Sequence, residues 1–291
     1  MSKSTRLRFP GKADRIRRSW MLGFILDDAQ FEAAIGSTAD VITPDLEDTV
    51  PDEQKEIARK RLEELFESGR GRLGDHEIFV RVNNLYTPWG YADIEAVARL
   101  DIDGVMYPMA RSAEEVWQVR RMLEAAGSNA EIEVLLETPE SYLNIQRIAQ
   151  VRGVSTLTHS RGDLYAELDV VKDDRRDRLA ATAAMTVIAA KAYGLFARDG
   201  LHTSKWDDPD AVREFLLEAR REGFDGMGSI HLSHMDIIND VWSPSAEEVE
   251  HSRKVVDVFE NGSGESDLVV DGQPVMRPDY MKALHILRTT E

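Results

Sequence analysis

Leu135-Leu136-Glu137-Thr138-Pro139 and His159-Ser160-Arg161-Gly162-Asp163 are the two stretches whose reading decides the fold. Each follows an apolar, β-rich run, Ile132 to Leu136 in the first case and Val154 to Leu157 in the second, and each gives way at a carboxylate to a helix-like segment. A strand that presents a ligand at its C-terminal end has this form. Glu137 and Asp163 are 163 − 137 = 26 residues apart, close to one strand-helix unit in a barrel where about 250 residues make eight. The spacing puts the two carboxylates on neighbouring strand ends, where both can aim at one ion.

Working outward from this pair, the same alternation recurs along the chain. Trp20 to Leu26 reads as a strand, and Ala39 to Pro44 as a second that ends in the acidic cluster Asp45-Leu46-Glu47-Asp48. Asp52 to Phe66 has helical spacing, with Ile57, Leu62, Leu65 and Phe66 apolar. Ser112 and Glu115 have the spacing of a capping box. Leu179 to Phe196 reads as a buried Ala-rich helix, Asp199 to Trp206 as a weak seventh strand, and Pro209 to Gly223 as a helix with Pro at its start and Gly at its end. The strand ends fall at Asp27, Asp48, Asn83, Pro108, Glu137, Asp163, Ser204 and His231. Eight βα repeats with no run of consecutive strands predict an α/β fold, a closed parallel (β/α)8 barrel whose polar clusters share the C-terminal face. The barrel is expected over residues 1–245 with a basic lead-in. A C-terminal extension of helix, linker, hairpin and helix follows over 246–291, as a lid or subunit contact.

Composition narrows the function. The 53 acidic against 36 basic side chains, a formal charge of −17, argue against nucleic acid or an anionic membrane as a partner. Without cysteine, disulfides, thiolate metal sites and cysteine nucleophiles are excluded. The basic residues Lys3, Arg6, Arg8, Lys12, Arg15, Arg17 and Arg18 precede an apolar run that is too short to span a bilayer and lacks a small-residue cleavage site, so the expected location is cytoplasmic. Gly223, Gly226 and Gly228 do not form a phosphate loop. His231 and His234, three residues apart, read as packing or hydrogen-bonding groups rather than as a metal pair.

The chain resembles the HpcH/HpaI aldolase and citrate lyase β-subunit (CitE-like) superfamily, near the malyl-CoA and citramalyl-CoA lyases. The similar stretches are Asp45-Leu-Glu-Asp-Thr-Val50 with Lys55 and Ala58-Arg59, Val80-Arg81-Val-Asn83 with Trp89-Gly90, Leu136-Glu137-Thr138, Asp163, Gly223-Phe-Asp-Gly-Met-Gly-Ser-Ile-His231, and Asp271-Gly272 with Pro278. The resemblance implies a TIM barrel of the phosphoenolpyruvate/pyruvate-binding type and a carbon-carbon lyase that acts through a metal-stabilised enolate. It implies Mg²⁺, with Mn²⁺ as the alternative, held by the residues matching Glu137 and Asp163. Arg81 is implied to grip the carboxylate of a small 2-hydroxy or 2-keto acid, or of its CoA thioester, with Glu137 also at the substrate. Glu47 and Asp48 join Arg81 as catalytic candidates. A homo-oligomer, a trimer by analogy, is also implied. Two rival readings stand beside these: Arg81 as a structural ion-pair partner of Asp45, Glu47 and Asp48, and the chain as a non-catalytic protein that binds a metal and a carboxylate.

Departures from the family pattern gather near the expected mouth. The tail motif Asp-Gly-Lys-Met-Ile-Asp-x-Pro reads Asp271-Gly-Gln-Pro-Val-Met276-Arg-Pro278, so Met276 replaces the aspartate that moves a proton at a neighbour's thioester. Ser160 stands where a glycine is expected, Met227 replaces a lysine, and Ile-His-Pro-x-Gln has become Ile230-His-Leu-Ser-His234. The replacement proton carriers to consider are His202, His231, Asp271 and Asp279, or metal-bound hydroxide.

Overall fold

The structure is a computed structural model and describes residues 16–67, 69–172, 176–261 and 268–288. The basic positions from Lys3 to Arg15 and most of the linker after Asn261 lie outside the described residues. The chain forms two compact units, one over Arg17–Val241 and one that contains the C-terminal segment from Trp242.

In the first unit, strands and helices alternate: β1 (Ser19–Gly23), α1 (Asp28–Ile35), β2 (Val41–Pro44), α2 (Lys55–Glu67), β3 (Glu77–Arg81), α3 (Gly90–Val97), β4 (Gly104–Tyr107), α4 (Ala113–Ala125), β5 (Glu131–Leu136), α5 (Pro139–Leu143), α6 (Ile145–Ala149), β6 (Val154–His159), α7 (Arg161–Glu167), α8 (Ala180–Tyr193), β7 (Phe196–Gly200), α9 (Pro209–Glu222), β8 (Gly226–Ser229) and α10 (Met235–Trp242). Each strand pairs in parallel with the next, and β8 pairs with β1, so the eight strands close into a barrel. Local chemistry sets the helix ends. Ser112 Oγ accepts from Glu115 N at 3.3 Å, while the Glu115 carboxylate reaches back to Arg111 N at 3.4 Å. Asp208 caps α9 ahead of Pro209, and Gly223, at φ 100°, stops it in the left-handed region open to glycine.

Inside the barrel, Trp20, Val41, Phe79, Met106 and Leu135 pack together. Gly226 makes this possible, since a Cβ there would lie 2.4 Å from Arg18 O and 2.7 Å from Trp20 Cζ3. Arg17 is buried, with its guanidinium 4.8 Å from the Phe79 ring centre and ion-paired to Glu77 and Glu131. Among the described residues, no helix is long and apolar enough to cross a membrane.

Several boundaries differ from those expected. β1 stops at Gly23, and Asp27 caps α1 by accepting from Gln30 N at 3.0 Å. The seventh strand is Phe196–Gly200, not Asp199 to Trp206, because Gly194 at φ 70° ends α8 at Tyr193 and frees Leu195 onward. α8 buries one face only, with Ile188 left 68 % exposed. β6 runs on to His159, so Asp163 lies in the first turn of α7 rather than at a strand end. α10, with Met235, Ile238 and Val241 buried, was not anticipated.

The second unit holds α11 (Ala246–Asn261), the hairpin β9 (Val269–Val270) and β10 (Gln273–Pro274), and α12 (Arg277–Arg288). Val255, Val270, Val275 and Ala283 form its core. Asp271 and Gly272, at φ 50° and 80°, make the two-residue turn that suits a hairpin.

Candidate active site

Arg81, the last residue of β3, is held by three carboxylates. Nε and Nη2 close on Asp45 at 2.6 and 2.7 Å, and Nη1 lies 2.9 Å from Glu47 Oε2 and 3.1 Å from Asp48 Oδ2. Asp45 is fully buried just after β2 and is fixed in turn by Glu47 N at 2.9 Å, Thr49 N at 2.9 Å and Thr49 Oγ1 at 2.7 Å. Burial alone would push the Asp45 carboxyl up, but Arg81 and Thr49 outweigh it and hold the group below its usual range. The same carboxylates more than offset the burial of Arg81 and secure its charge. The loop between them is pinned from below by Lys55 Nζ, which donates to Leu46 O at 3.0 Å and Glu47 O at 2.8 Å, and by Asn83 Nδ2, which donates to Leu46 O at 2.8 Å.

Glu47 is the exception in this cluster. Its Oε2 is buried and has no hydrogen bond despite the nearby Arg81 charge. Burial, together with the charges of Asp48, Glu137 and Asp45, pushes its carboxyl up to about 8 against the pull of Arg81. Asp48 points outward, its side chain 71 % exposed.

Glu137 follows β5 directly. Its Oε2 accepts from Met109 N at 2.7 Å, and Met109 offers that N–H from a left-handed backbone at φ 51°, an uncommon conformation for a side-chain-bearing residue. Thr138 and Pro139 then start α5, with Thr138 Oγ1 accepting from Ser141 N at 3.1 Å. Burial and the charge of Asp163 push the Glu137 carboxyl up to about 7, against opposing hydrogen bonds from Met109 and Ser160 and the Arg81 charge. Asp163 itself is exposed. The structure therefore brings Glu137 close to Asp163 on one side and to Glu47 and Arg81 on the other. Among the described residues, no group of three or more His, Asp or Glu side chains is placed to hold a metal ion.

A cavity of about 360 Å³ opens at the strand ends, and all eight strands contribute to its wall. Arg81 and Ser160-Arg161-Gly162 bring it to the carboxylate cluster, and His202, Trp206 and His231 line it on the β7–β8 side. His231 stacks on Trp206 at 4.4 Å, and His202 lies 5.4 Å from the Tyr165 ring. His234 is engaged through both ring nitrogens, with Ser229 Oγ and Trp206 O at 2.7 Å each. Deeper in the barrel, Arg198 Nε donates to Glu133 Oε1 at 2.5 Å and to Thr158 Oγ1 at 3.0 Å. Arg198 and Glu133 were missed as site candidates. The signal was present, because Glu133, Leu135 and Glu137 share one phase of β5 and so one face.

In the second unit, Asp271 is tied to Lys254 at 3.0 Å and His251 at 3.2 Å, and Asp279 accepts from Met276 N at 2.7 Å. Met276 is 64 % exposed.

A family model described as HpcH/HpaI aldolase/citrate lyase matches residues 26–232. A (3S)-malyl-CoA thioesterase of Cereibacter sphaeroides is 32 % identical over 264 residues, which cover 89 % of this chain and 90 % of that one. The citrate lyase subunit beta of Escherichia coli is 28 % identical over 95 % of this chain and 94 % of its own. Among solved structures, the CitE protein of Mycobacterium tuberculosis in complex with magnesium, acetoacetate and coenzyme A superposes with a TM-score of 0.77. It is 26 % identical, with 96 % of this chain and 100 % of that one covered.

Proposed function

The chain belongs to the HpcH/HpaI aldolase/citrate lyase family, and from that premise we propose a Mg²⁺-dependent enzyme that makes or breaks a carbon-carbon bond beside the carbonyl of a small 2-keto or 2-hydroxy acid, free or as its CoA thioester. One observation carries the reading. Glu137 follows β5 and Asp163 opens α7 after the adjacent β6, and burial together with the nearby Asp163 charge raises the Glu137 carboxyl to about 7. A buried carboxylate kept beside a second negative charge is a site that a cation would relieve.

The residues fit Mg²⁺, with Mn²⁺ as the substitute. Glu137 and Asp163 are the direct ligands, both oxygen donors, and Glu47, whose Oε2 is ion-paired with Arg81 but accepts no hydrogen bond, lies close enough to Glu137 to raise its own carboxyl. When bound, the metal neutralises this cluster and acts as a Lewis acid for the charge that develops on the substrate oxygen. The chain supplies the remainder. Asp45 locks Arg81 in one orientation, and Arg81 sets a permanent positive charge beside the substrate, with its Nη1 shared between Glu47 and Asp48. Glu47, with its carboxyl near 8, changes protonation close to neutral pH and serves as a proton carrier with Arg81 and Asp48 around it. His202 and His231 face the cavity from the opposite wall.

A second reading, hydrolysis of the thioester, is favoured by the name of the relative that is 32 % identical and by Met276 in place of the tail aspartate. Malyl-CoA with Mg²⁺ separates the two. Acetyl-CoA and glyoxylate are expected from bond cleavage, whereas malate and free CoA would make the chain a thioesterase. Solvent deuterium exchange into pyruvate and, separately, into acetyl-CoA tests enolisation directly. If neither compound exchanges and malyl-CoA stays intact while calorimetry still registers binding of such acids, the chain binds them without turning them over.

A further inference from the structure

We propose that the floor of the cavity is a second carboxylate subsite built on Arg198, so that the preferred ligand is a dicarboxylic acid with one end at the Glu137–Asp163 mouth and the other against this guanidinium. This inference rests on the reading of the cavity as the place where a small acid binds.

Three arginines, Arg81, Arg161 and Arg198, line the cavity and differ in how many of their donors are committed. A guanidinium carries five N–H groups in a fixed fork. Arg81 spends Nε and Nη2 on Asp45 and turns Nη1 to Glu47 and Asp48. Arg161 faces both Asp199 oxygens through Nε at 3.2 and 3.1 Å, gives Nη1 to Arg176 O at 3.3 Å, and has Nη2 4.0 Å from Glu222. Arg161 thus leaves Nη2 alone without a hydrogen bond, and Arg198 leaves more. Only its Nε is committed, to Glu133 and Thr158. Nη2 touches nothing stronger than Met106 Sδ at 3.9 Å, a weak acceptor, and Nη1 makes no hydrogen bond among the described residues. The side chain is only 8 % exposed, and the cavity is what it faces.

Neighbouring residues agree with this assignment. Gly228 leaves the slot that the guanidinium fills, since a Cβ there would come within 1.9 Å of Arg198 Nη1. Trp20 and Thr43 line the same cavity, and Trp20 Nε1 and Thr43 Oγ1 are buried without partners. Glu133 holds Arg198 by the Nε side and leaves both Nη groups for a ligand, and a pair of parallel N–H groups suits a carboxylate. The floor carries an under-used cation, and the carboxylates at the mouth would present complementary charge to an acid only through a divalent cation they hold, so a diacid reaching both ends needs Mg²⁺ at the mouth and Arg198 at the floor.

Calorimetric titration of the full chain with Mg²⁺, using malate and lactate as probes, tests the proposal. The two are 2-hydroxy acids that differ by one carboxylate, and both malate enantiomers are used. Wild type is expected to bind malate at least tenfold tighter than lactate. Arg198→Met should erase that preference while lactate affinity stays within about twofold. Because Arg198→Met strands Glu133, the double variant Arg198→Met/Glu133→Gln, checked by thermal melting, serves as a second test and should also lose the preference. A malate-to-lactate ratio unchanged in a folded variant, or equal affinities in wild type, would overturn the subsite while leaving the acid-binding cavity in place. Failure of both acids to bind wild type would overturn the cavity reading as well. Because the readout is binding rather than turnover, a failure of the lyase chemistry alone would not touch it.

Discussion

Replacement of Glu137 by Gln should stabilise the metal-free protein at alkaline pH and abolish its response to Mg²⁺. The carboxyl is raised from its ordinary 4.5 to about 7 by burial and by Asp163. A group raised in this way binds its proton more tightly in the folded than in the unfolded chain. Its contribution is favourable at low pH and is lost as pH climbs from about 4.5 to 7. At roughly 1.4 kcal/mol per pH unit, the ionised form costs the folded state about 3 kcal/mol at pH 8 as an upper bound. Gln has the same shape, carries no charge, and offers an oxygen to Met109 N. In chelator at pH 8, Glu137→Gln should gain about 1–3 kcal/mol, a rise of a few degrees in melting temperature. At pH 4 the two proteins should agree within about 0.5 kcal/mol. With Mg²⁺ at about a hundred times its dissociation constant, wild type gains roughly 2.7 kcal/mol and the variant gains nothing, which closes or reverses the gap at pH 8. Urea unfolding followed by tryptophan fluorescence reads all of these values. A variant less stable than wild type at pH 8 without metal, or one that Mg²⁺ still stabilises, would refute the reasoning.

Asp163→Asn removes an exposed carboxylate that repels Glu137, so without metal at pH 8 the variant should match wild type or exceed it by up to about 1 kcal/mol, while the shift of melting temperature by Mg²⁺ disappears; a retained shift would remove Asp163 from the ligand set. Mg²⁺ affinity should rise from pH 6 to pH 8 as Glu137, near 7, and Glu47, near 8, give up their protons, with proton release visible when calorimetry is repeated in buffers of different ionisation enthalpy. Gly226→Ala and Gly228→Ala should separate in chemical denaturation. The first meets backbone oxygen at 2.4 Å and should cost more than about 3 kcal/mol; the second meets the movable end of Arg198 at 1.9 Å and should cost about 1–3 kcal/mol. Asp45→Asn takes the charged partner from the buried Arg81 fork and should cost about 3–5 kcal/mol, read by the same denaturation.

The eight repeats were legible because a βα unit writes itself twice, once in an apolar run and once in the turn chemistry that follows. Asp208-Pro209 and Gly223 bracket α9 as their chemistry demands. Where the punctuation was quieter, the reading slid. Nothing in Lys191-Ala-Tyr-Gly194-Leu-Phe196 breaks the apolar pattern except one glycine, and that glycine is what turns the chain from α8 into β7. Asp163 was read at a strand end because the run after Leu157 turns polar, but β6 continues through Thr158 and His159. Both are buried, and His159 is kept inside by Asp199 at 2.9 Å and Thr182 at 3.0 Å.

Charge partition could not be read one residue at a time. In the sequence, Arg81 reads as a grip for substrate in preference to a structural ion-pair partner, and the choice turns on how many of its donors are already spent. Three carboxylates face it, and Glu47 and Glu137 sit well above their ordinary values beside it. That end of the cavity is short of positive charge even with Arg81 present, so a cation is the natural addition there, and a second anionic group gains little by joining it. Arg198 lies on another strand, and its neutraliser, Glu133, leaves both Nη groups over. One barrel thus separates a cation-seeking mouth from an anion-seeking floor, and the length of an acid, rather than its charge alone, decides whether it reaches both.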